Sequence, residues 1–462
     1  MYNDVKSKVR SGAKLSDSIR CSSGVKQGDV CSPILFSLFI NELALEIIEY
    51  GRHGVTFDLL ELFILLFADD IVLLSTTVVG LQRQLNTLHS AATRYELRVN
   101  MSKTKVIVFR KGGYLARSEK WIYGGETMSV VNAYKYLGLY FTTKISFSYA
   151  CEDIASRAKK AVFAIFHILY RLDCSSFQIF TKLFDAQVQP ILQYGAEIWA
   201  LDKGEMIEKV HLYALKRFLN VDSKTPNDLI YGELGRYPIY LNSYIKCIKY
   251  WLHLTRMDNK RIPFKCYKTL FEIDRCGKIT WATNVRKFLQ SHGFAYVWDN
   301  QGVENILVFL KCLKQRIIDC RWQDWHNHLC ESDRFAQYKL FKTDHTLEYY
   351  VKINMNRYVK VALTKFRLGV SLLACHRLRY RHVYDHELRC CLCNLAKQDE
   401  VHVLFCCPIL DDLRKKFIKP KYYSNPCFFR MVLLLTAKYE KTQTDLALFI
   451  YEAHKRISNA LS

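Results

Sequence analysis

The sequence predicts an α+β chain, with short strands in its first third, helices through the rest, and a small cysteine and histidine knuckle near its end. Three observations carry that expectation. An apolar run from Glu61 to Leu74 is broken at Ala68-Asp69-Asp70. From Glu152 onward, apolar residues recur at helical spacing. Near the end, Cys390, Cys393, His402 and Cys407 stand in a C-x2-C-x8-H-x4-C pattern, the spacing of a compact metal-binding turn.

Composition sets the outer limits. The 462 residues carry 67 Lys and Arg against 44 Asp and Glu, a net charge of +23, which suits a polyanionic partner such as nucleic acid. Half the residues are hydrophobic, and Pro and Gly number only 8 and 19, so the chain is expected to fold into two or three domains and not to remain disordered. The opening stays polar through Arg20, unlike a secretory signal, and two carboxylates in the most apolar run would be costly in a bilayer. No membrane association is expected. In a reducing compartment the 17 cysteines read as metal ligands or core residues before disulfides.

In the first third, Gly24 and Gly28 punctuate a loop that passes into a helix near Ser32-Pro33, with Ile34, Leu35, Leu38 and Leu45 spaced to bury one face. The run Glu61 to Leu74 reads as two buried strands joined at an acidic turn. Adjacent carboxylates amid apolar strands call for a cation, and Mg²⁺ takes such oxygen ligands, with Asp69 as principal contact and Asp70 as secondary. A helix from Leu81 to Tyr95 follows, then Asn100-Met-Ser-Lys103-Thr104, a strand at 106–109, and Tyr134-Lys-Tyr136-Leu137-Gly138.

In order and spacing, Gln27-Gly28, Asp69-Asp70, Asn100-x-x-Lys103-Thr104 and Tyr134-x-Tyr136-Leu137-Gly138 resemble the palm motifs of reverse transcriptases from non-LTR (LINE-type) retrotransposons. The resemblance implies a partial polymerase palm sheet followed by a mainly helical thumb, acting on RNA and DNA. Asp69 and Asp70 would hold Mg²⁺, and Lys103 would approach the triphosphate. Gln27 and Gly28 would position template and incoming nucleotide, the glycine because a side chain would crowd them. Tyr136, Leu137 and Gly138 would support the primer terminus. It also implies a further catalytic aspartate on an apolar strand ahead of Gly24, where only Asp4 and Asp17 stand, in polar surroundings. The chain is therefore expected to be an N-terminally truncated polymerase, inactive alone, whose partner would be the missing N-terminal half of the element's protein. The alternative is a non-catalytic nucleic-acid-binding remnant.

The expected divisions are a palm at 1–145, a helical thumb-like region at 146–260 and a helical C-terminal domain at 261–462, with the knuckle at 390–407. A helix from Glu152 to Leu172 would bury Ile154, Ala158, Val162, Ile165, Ile168 and Leu169 and turn Arg157, Lys159 and Lys160 outward. A second would run from Phe177 to Leu192. Tyr194 and Trp199 are expected in the core. Tyr194 to Trp199 and Tyr231 to Pro238 also resemble the post-palm region of the same proteins, without evident chemistry. Cys390, Cys393, His402 and Cys407 suit a closed, structural Zn²⁺ site, although Cys391 or Cys406 could replace a neighbour. Arg377, Arg379, Arg381, Arg389, Arg414, Lys415 and Lys416 would supply phosphate contacts. Target-primed integration in this family implies a nuclear location.

Overall fold

Helices Ser32–Tyr50 and Val78–Arg94 pack against each other because both carry an apolar stripe. Ile40, Leu43 and Ile47 of the first meet Leu85, Leu88 and Ala91 of the second, and Trp121, Tyr123 and Met128 complete this core. Thr77 starts the second helix by accepting the Gly80 N–H at 3.0 Å. The computed structural model describes residues 5–461 apart from 22–23, 27, 51–52, 58–59, 333–334 and 379–384. It divides into two units, Met1–Ser146 with Asp258–Cys276, and Phe147–Met257 with Gly277–Ser462. Strands lie in the first and helices dominate the second, an α+β chain. No described helix is long and apolar enough to cross a membrane.

In the first unit, three expectations need correction. Ile34, Leu35, Leu38 and Leu45 are exposed, because the helix is apolar on more than one face and its neighbours cover the stripe of Ile40, Leu43 and Ile47. Among the described residues, every named ladder is a two-stranded antiparallel pair, so the strands form separate hairpins and not one palm sheet. Residues 106–109 form no strand: Val106 makes one isolated parallel bridge to Val130, while Val106 and Val108 turn into the core. Side-chain burial is satisfied there without a continued backbone ladder.

In the second unit, helix Ser148–Arg171 buries Ile154, Ala158, Val162, Ile165 and Leu169, as the spacing predicts, but leaves Ile168 exposed. The expected helix from Phe177 to Leu192 contains a π-turn at Phe184–Val188. Pro190 follows it. Proline has no N–H to donate back along the helix and its ring crowds the preceding turn, which the wider π-turn accommodates. Trp199 is buried and donates to the Tyr194 carbonyl at 3.0 Å, whereas the Tyr194 ring is exposed. The backbone of Tyr194 thus serves the core in place of its side chain.

Glu233 anchors this unit. Its carboxylate accepts from Arg367 Nε at 2.6 Å and from the Tyr338 hydroxyl at 2.9 Å, with Glu233 and Arg367 both fully buried. Arg367 also donates to Glu348 Oε2 at 2.7 Å and to the Leu435 carbonyl at 2.9 Å. Each partner satisfies a group that could not otherwise remain charged in the interior.

His454, in helix Glu440–Leu461, is half-buried, and its Nε2 is buried without a partner among the described residues. Burial, then the charges of His376 and Lys365, lower its pKa from 6.5 to about 4. The unfolded chain therefore binds a proton between those values that the folded chain refuses. Stability contributed by the neutral ring is full above pH 6.5 and is lost as pH falls toward 4. The loss is about 3 kcal/mol. Urea unfolding measured from pH 7 to 4 is expected to show this slope, reduced in His454→Phe; equal slopes in both proteins would contradict it.

Candidate catalytic turn and cysteine–histidine cluster

The acidic pair sits at the end of a hairpin. Strands Ile64–Phe67 and Asp70–Leu73 pair antiparallel, Phe67 opposite Asp70, leaving Ala68 and Asp69 as a two-residue tip. Ala68 takes φ +51°, a left-handed conformation that alanine adopts at a cost. The expected buried strands are instead half-buried and emerge toward the tip, where Phe67, Asp69 and Asp70 are exposed. Both carboxylates remain open to a cation or a phosphate-bound metal.

A second hairpin has the same plan. Ala133–Tyr136 pairs with Leu139–Thr142, and the tip residues Leu137 and Gly138 have φ +45° and +81°. Two positive φ values match the twist of a tight hairpin, for which Asn-Gly is the favoured pair. Leu137→Asn is therefore expected to stabilise the chain by about 1 kcal/mol. An unchanged or lower urea midpoint would refute that account of the tip. Burial, then the charge of Asp70, raise the pKa of the Tyr136 phenol, so the acidic tip and the second hairpin share one electrostatic environment.

Lys103 is exposed on a turn made by Asn100, whose side-chain oxygen accepts from Lys103 N at 3.2 Å and Ser102 Oγ at 2.7 Å. The Tyr134 hydroxyl donates to the Lys103 carbonyl at 2.9 Å, tying this turn to the second hairpin. The sequence reading missed that task for Tyr134, although its place two residues before Tyr136 was a signal. Gln27 lies outside the described residues. Gly28 has φ +86°, but a Cβ there would meet nothing within 4 Å. Its positive φ favours glycine for backbone handedness, and the space beside it is open.

In the second unit the structure brings together Cys390, Cys393, His402 and Cys407, with their donor atoms all within 4.8 Å of one another. Cys390 Sγ lies 3.9 Å from Cys407 Sγ, and Cys393 Sγ lies 3.3 Å from His402 Nε2. Cys391 and Cys406 are exposed and stand outside this group. The Cys407 thiol, donating to Cys390, holds the Cys390 pKa below the ordinary thiol value, which favours a thiolate.

Local backbone sets the cluster. Asn394 is left-handed and its N–H reaches the Cys390 carbonyl at 2.8 Å, closing the first turn. A π-turn at His402–Cys406 links Cys407 N to the His402 carbonyl at 2.8 Å. Gln398, unremarked in the sequence, donates to Cys391 Sγ at 3.3 Å and Cys390 Sγ at 3.8 Å. Arg414 is not a phosphate contact: it is buried and donates to the Leu404 and Cys407 carbonyls at 2.9 and 2.7 Å. Lys415 pairs with Asp411 at 2.8 Å but is exposed, as is Lys416. Arg377 and Arg389 are exposed, while Arg379 and Arg381 lie outside the described residues.

The family described as reverse transcriptase (RNA-dependent DNA polymerase) matches residues 5–141. The RNA-directed DNA polymerase from mobile element jockey of Drosophila melanogaster is 24% identical over 205 residues, which is 42% of this chain and 21% of that protein. The probable RNA-directed DNA polymerase from transposon X-element of the same organism is 23% identical over 210 residues, 44% of this chain and 22% of that protein. The matches thus span about a fifth of each relative.

Proposed function

Because this chain belongs to the LINE-type reverse transcriptases, we propose that it supplies part of the palm and the following helices of a template-directed DNA polymerase, with Asp69 and Asp70 on the metal side. The observation that carries this reading is the pair of tight hairpins, one exposing Asp69 at its tip with Asp70 beside it and the other carrying Tyr136 next to its Leu137-Gly138 tip. Mg²⁺ commonly takes one or two carboxylates together with substrate phosphates, and two exposed carboxylates fit that donor set. Bound there, the ion would polarise the reacting phosphate and stabilise the leaving oxygen. Lys103 would meet triphosphate charge as a mobile cation on its Asn100 turn.

Among the described residues, no third carboxylate, imidazole or thiol joins Asp69 and Asp70 in a metal-holding group. A site for two ions requires a further ligand from elsewhere, such as another part of the element's protein. Primer extension on an RNA template, with Mg²⁺ or Mn²⁺, is accordingly expected to yield no synthesis from these 462 residues alone. Robust synthesis abolished by Asp69→Ala would overturn the inactivity and support the polymerase assignment.

The second unit favours a nucleic-acid-binding role alongside this. Arg217 lies over the rings of Phe163 and Phe166 at 5.1 and 5.0 Å, Lys159 over Tyr213 at 5.0 Å, and Lys160 is exposed on the same helix as Phe163. Cations interleaved with rings suit phosphates and unpaired bases. The Cys/His group would hold Zn²⁺ as a structural ion. Binding to RNA or DNA that weakens steeply with salt, without synthesis, is the result this role requires.

A further inference from the structure

A cleft of about 300 Å³ opens in the second unit beside Gly235-Arg236-Tyr237-Pro238, a sequence phrase that the polymerase reading leaves without a task. Its walls are unusual in local structure as well as in charge. The π-turn Phe184–Val188 brings in Asp185, and π-turns concentrate at functional sites. Asp185 receives both terminal nitrogens of Arg236, at 2.7 and 3.1 Å, which fixes the guanidinium at the opening. Lys314 is exposed at the rim and has no ion pair or hydrogen bond among the described residues. Ile239, Leu241 and Ile317 form a buried aliphatic floor.

His211 belongs to that floor. Its Nδ1 lies 2.6 Å from Glu208 Oε1, and a carboxylate can only accept, so Nδ1 carries a proton. Glu208 is itself fixed by the Tyr231 hydroxyl at 2.7 Å and Ile239 N at 2.6 Å. The opposite ring nitrogen, Nε2, has no partner among the described residues and is shielded from bulk water.

The aliphatic floor and the exposed Lys314 at the rim select a ligand with a flat apolar body and an attached anion. The volume stands at the lower end of the range for small-ligand pockets, about 300 to 1,000 Å³, and leaves room for one nucleotide but not for a stacked pair. We propose that this cleft holds a single unstacked nucleotide of a bound strand, with its base over the aliphatic floor and its phosphate at Lys314. The inference rests on the reading that the chain binds nucleic acid and adds where one base leaves the stack. Reading a splayed base by its edge is a general mode of single-strand recognition.

The test uses the full chain and an end-labelled single-stranded oligonucleotide carrying one 2-aminopurine, whose fluorescence rises when it unstacks. Anisotropy reports binding and the purine signal reports capture of the base. The expected result is a severalfold rise at saturating protein, lost in Ile318→Trp, which fills the cleft from a half-buried wall, and reduced in Lys314→Gln at the exposed rim. Thermal unfolding of both variants establishes that they are folded. Strand binding without a rise, or a rise that survives Ile318→Trp, overturns the cleft assignment alone. Absence of binding overturns the nucleic-acid reading together with it.

Discussion

Purified under reducing conditions, the chain is expected to carry one zinc ion per molecule, lost in Cys393→Ser and in His402→Ala. A tetrahedral ion with bonds of about 2.3 Å to sulfur and 2.0 Å to nitrogen has donor-to-donor edges of about 3.5 to 3.8 Å. The Cys390 to Cys407 separation of 3.9 Å and the Cys393 to His402 separation of 3.3 Å bracket those edges. A second group of possible ligands, Cys375, His376 and Glu400, has a different explanation. His376 Nδ1 lies 2.7 Å from Ser371 Oγ and its Nε2 lies 2.6 Å from Glu400, so hydrogen bonds already satisfy the ring. Structural zinc in small domains contributes roughly 10 to 16 kcal/mol of apparent binding energy. Metal removal is therefore expected to unfold the surroundings of the cluster. Elemental analysis of the intact protein decides the matter, and a preparation folded at full length without stoichiometric zinc would refute the assignment.

Glu233→Ala is expected to destabilise the second unit by about 3 to 5 kcal/mol. The substitution leaves the fully buried Arg367 with Glu348 as its remaining carboxylate partner and takes the acceptor from the Tyr338 hydroxyl. Most of the cost is a guanidinium left only partly compensated, because Glu348 also pairs with Lys342, and not the lost attraction itself. A double replacement, Glu233→Leu with Arg367→Met, removes both charges and is expected to recover much of the loss. Urea unfolding of the three proteins separates the cases. A single-variant loss below about 1 kcal/mol would show that water reaches the pair and that it is not the anchor described.

The candidate sites and the buried anchor differ in how far they could be read in advance. Asp69-Asp70 and the Cys/His group are local: each is set by residues within one hairpin or one short loop, so spacing alone brings the members into view. Glu233 and Arg367 are 134 residues apart, and nothing in either neighbourhood signals the other. The helix Ser32–Tyr50 shows a different limit. Its periodicity signals helix, but apolar residues on several faces leave the buried stripe to be chosen by Leu85, Leu88 and Ala91. Arg414 read as a surface cation because it adjoins Lys415 and Lys416, yet one helical position turns it inward onto two carbonyls. The cleft beside Arg236 joins the π-turn, the Arg236 loop and helix Ile306–Glu331, a tertiary product without a linear signature.

The reach of Arg367 has a consequence for synthesis of the chain. Its guanidinium bonds to Glu233, made early, and to Leu435, made late. While the ribosome is still short of Leu435, the arginine lacks one of its interior acceptors, and the second unit cannot close in its final form. Contacts of such long sequence separation form slowly and leave apolar surface exposed while they are awaited. The nascent chain therefore waits for the helices that follow Arg367 before this interior seals, and apolar surface stays exposed in that interval.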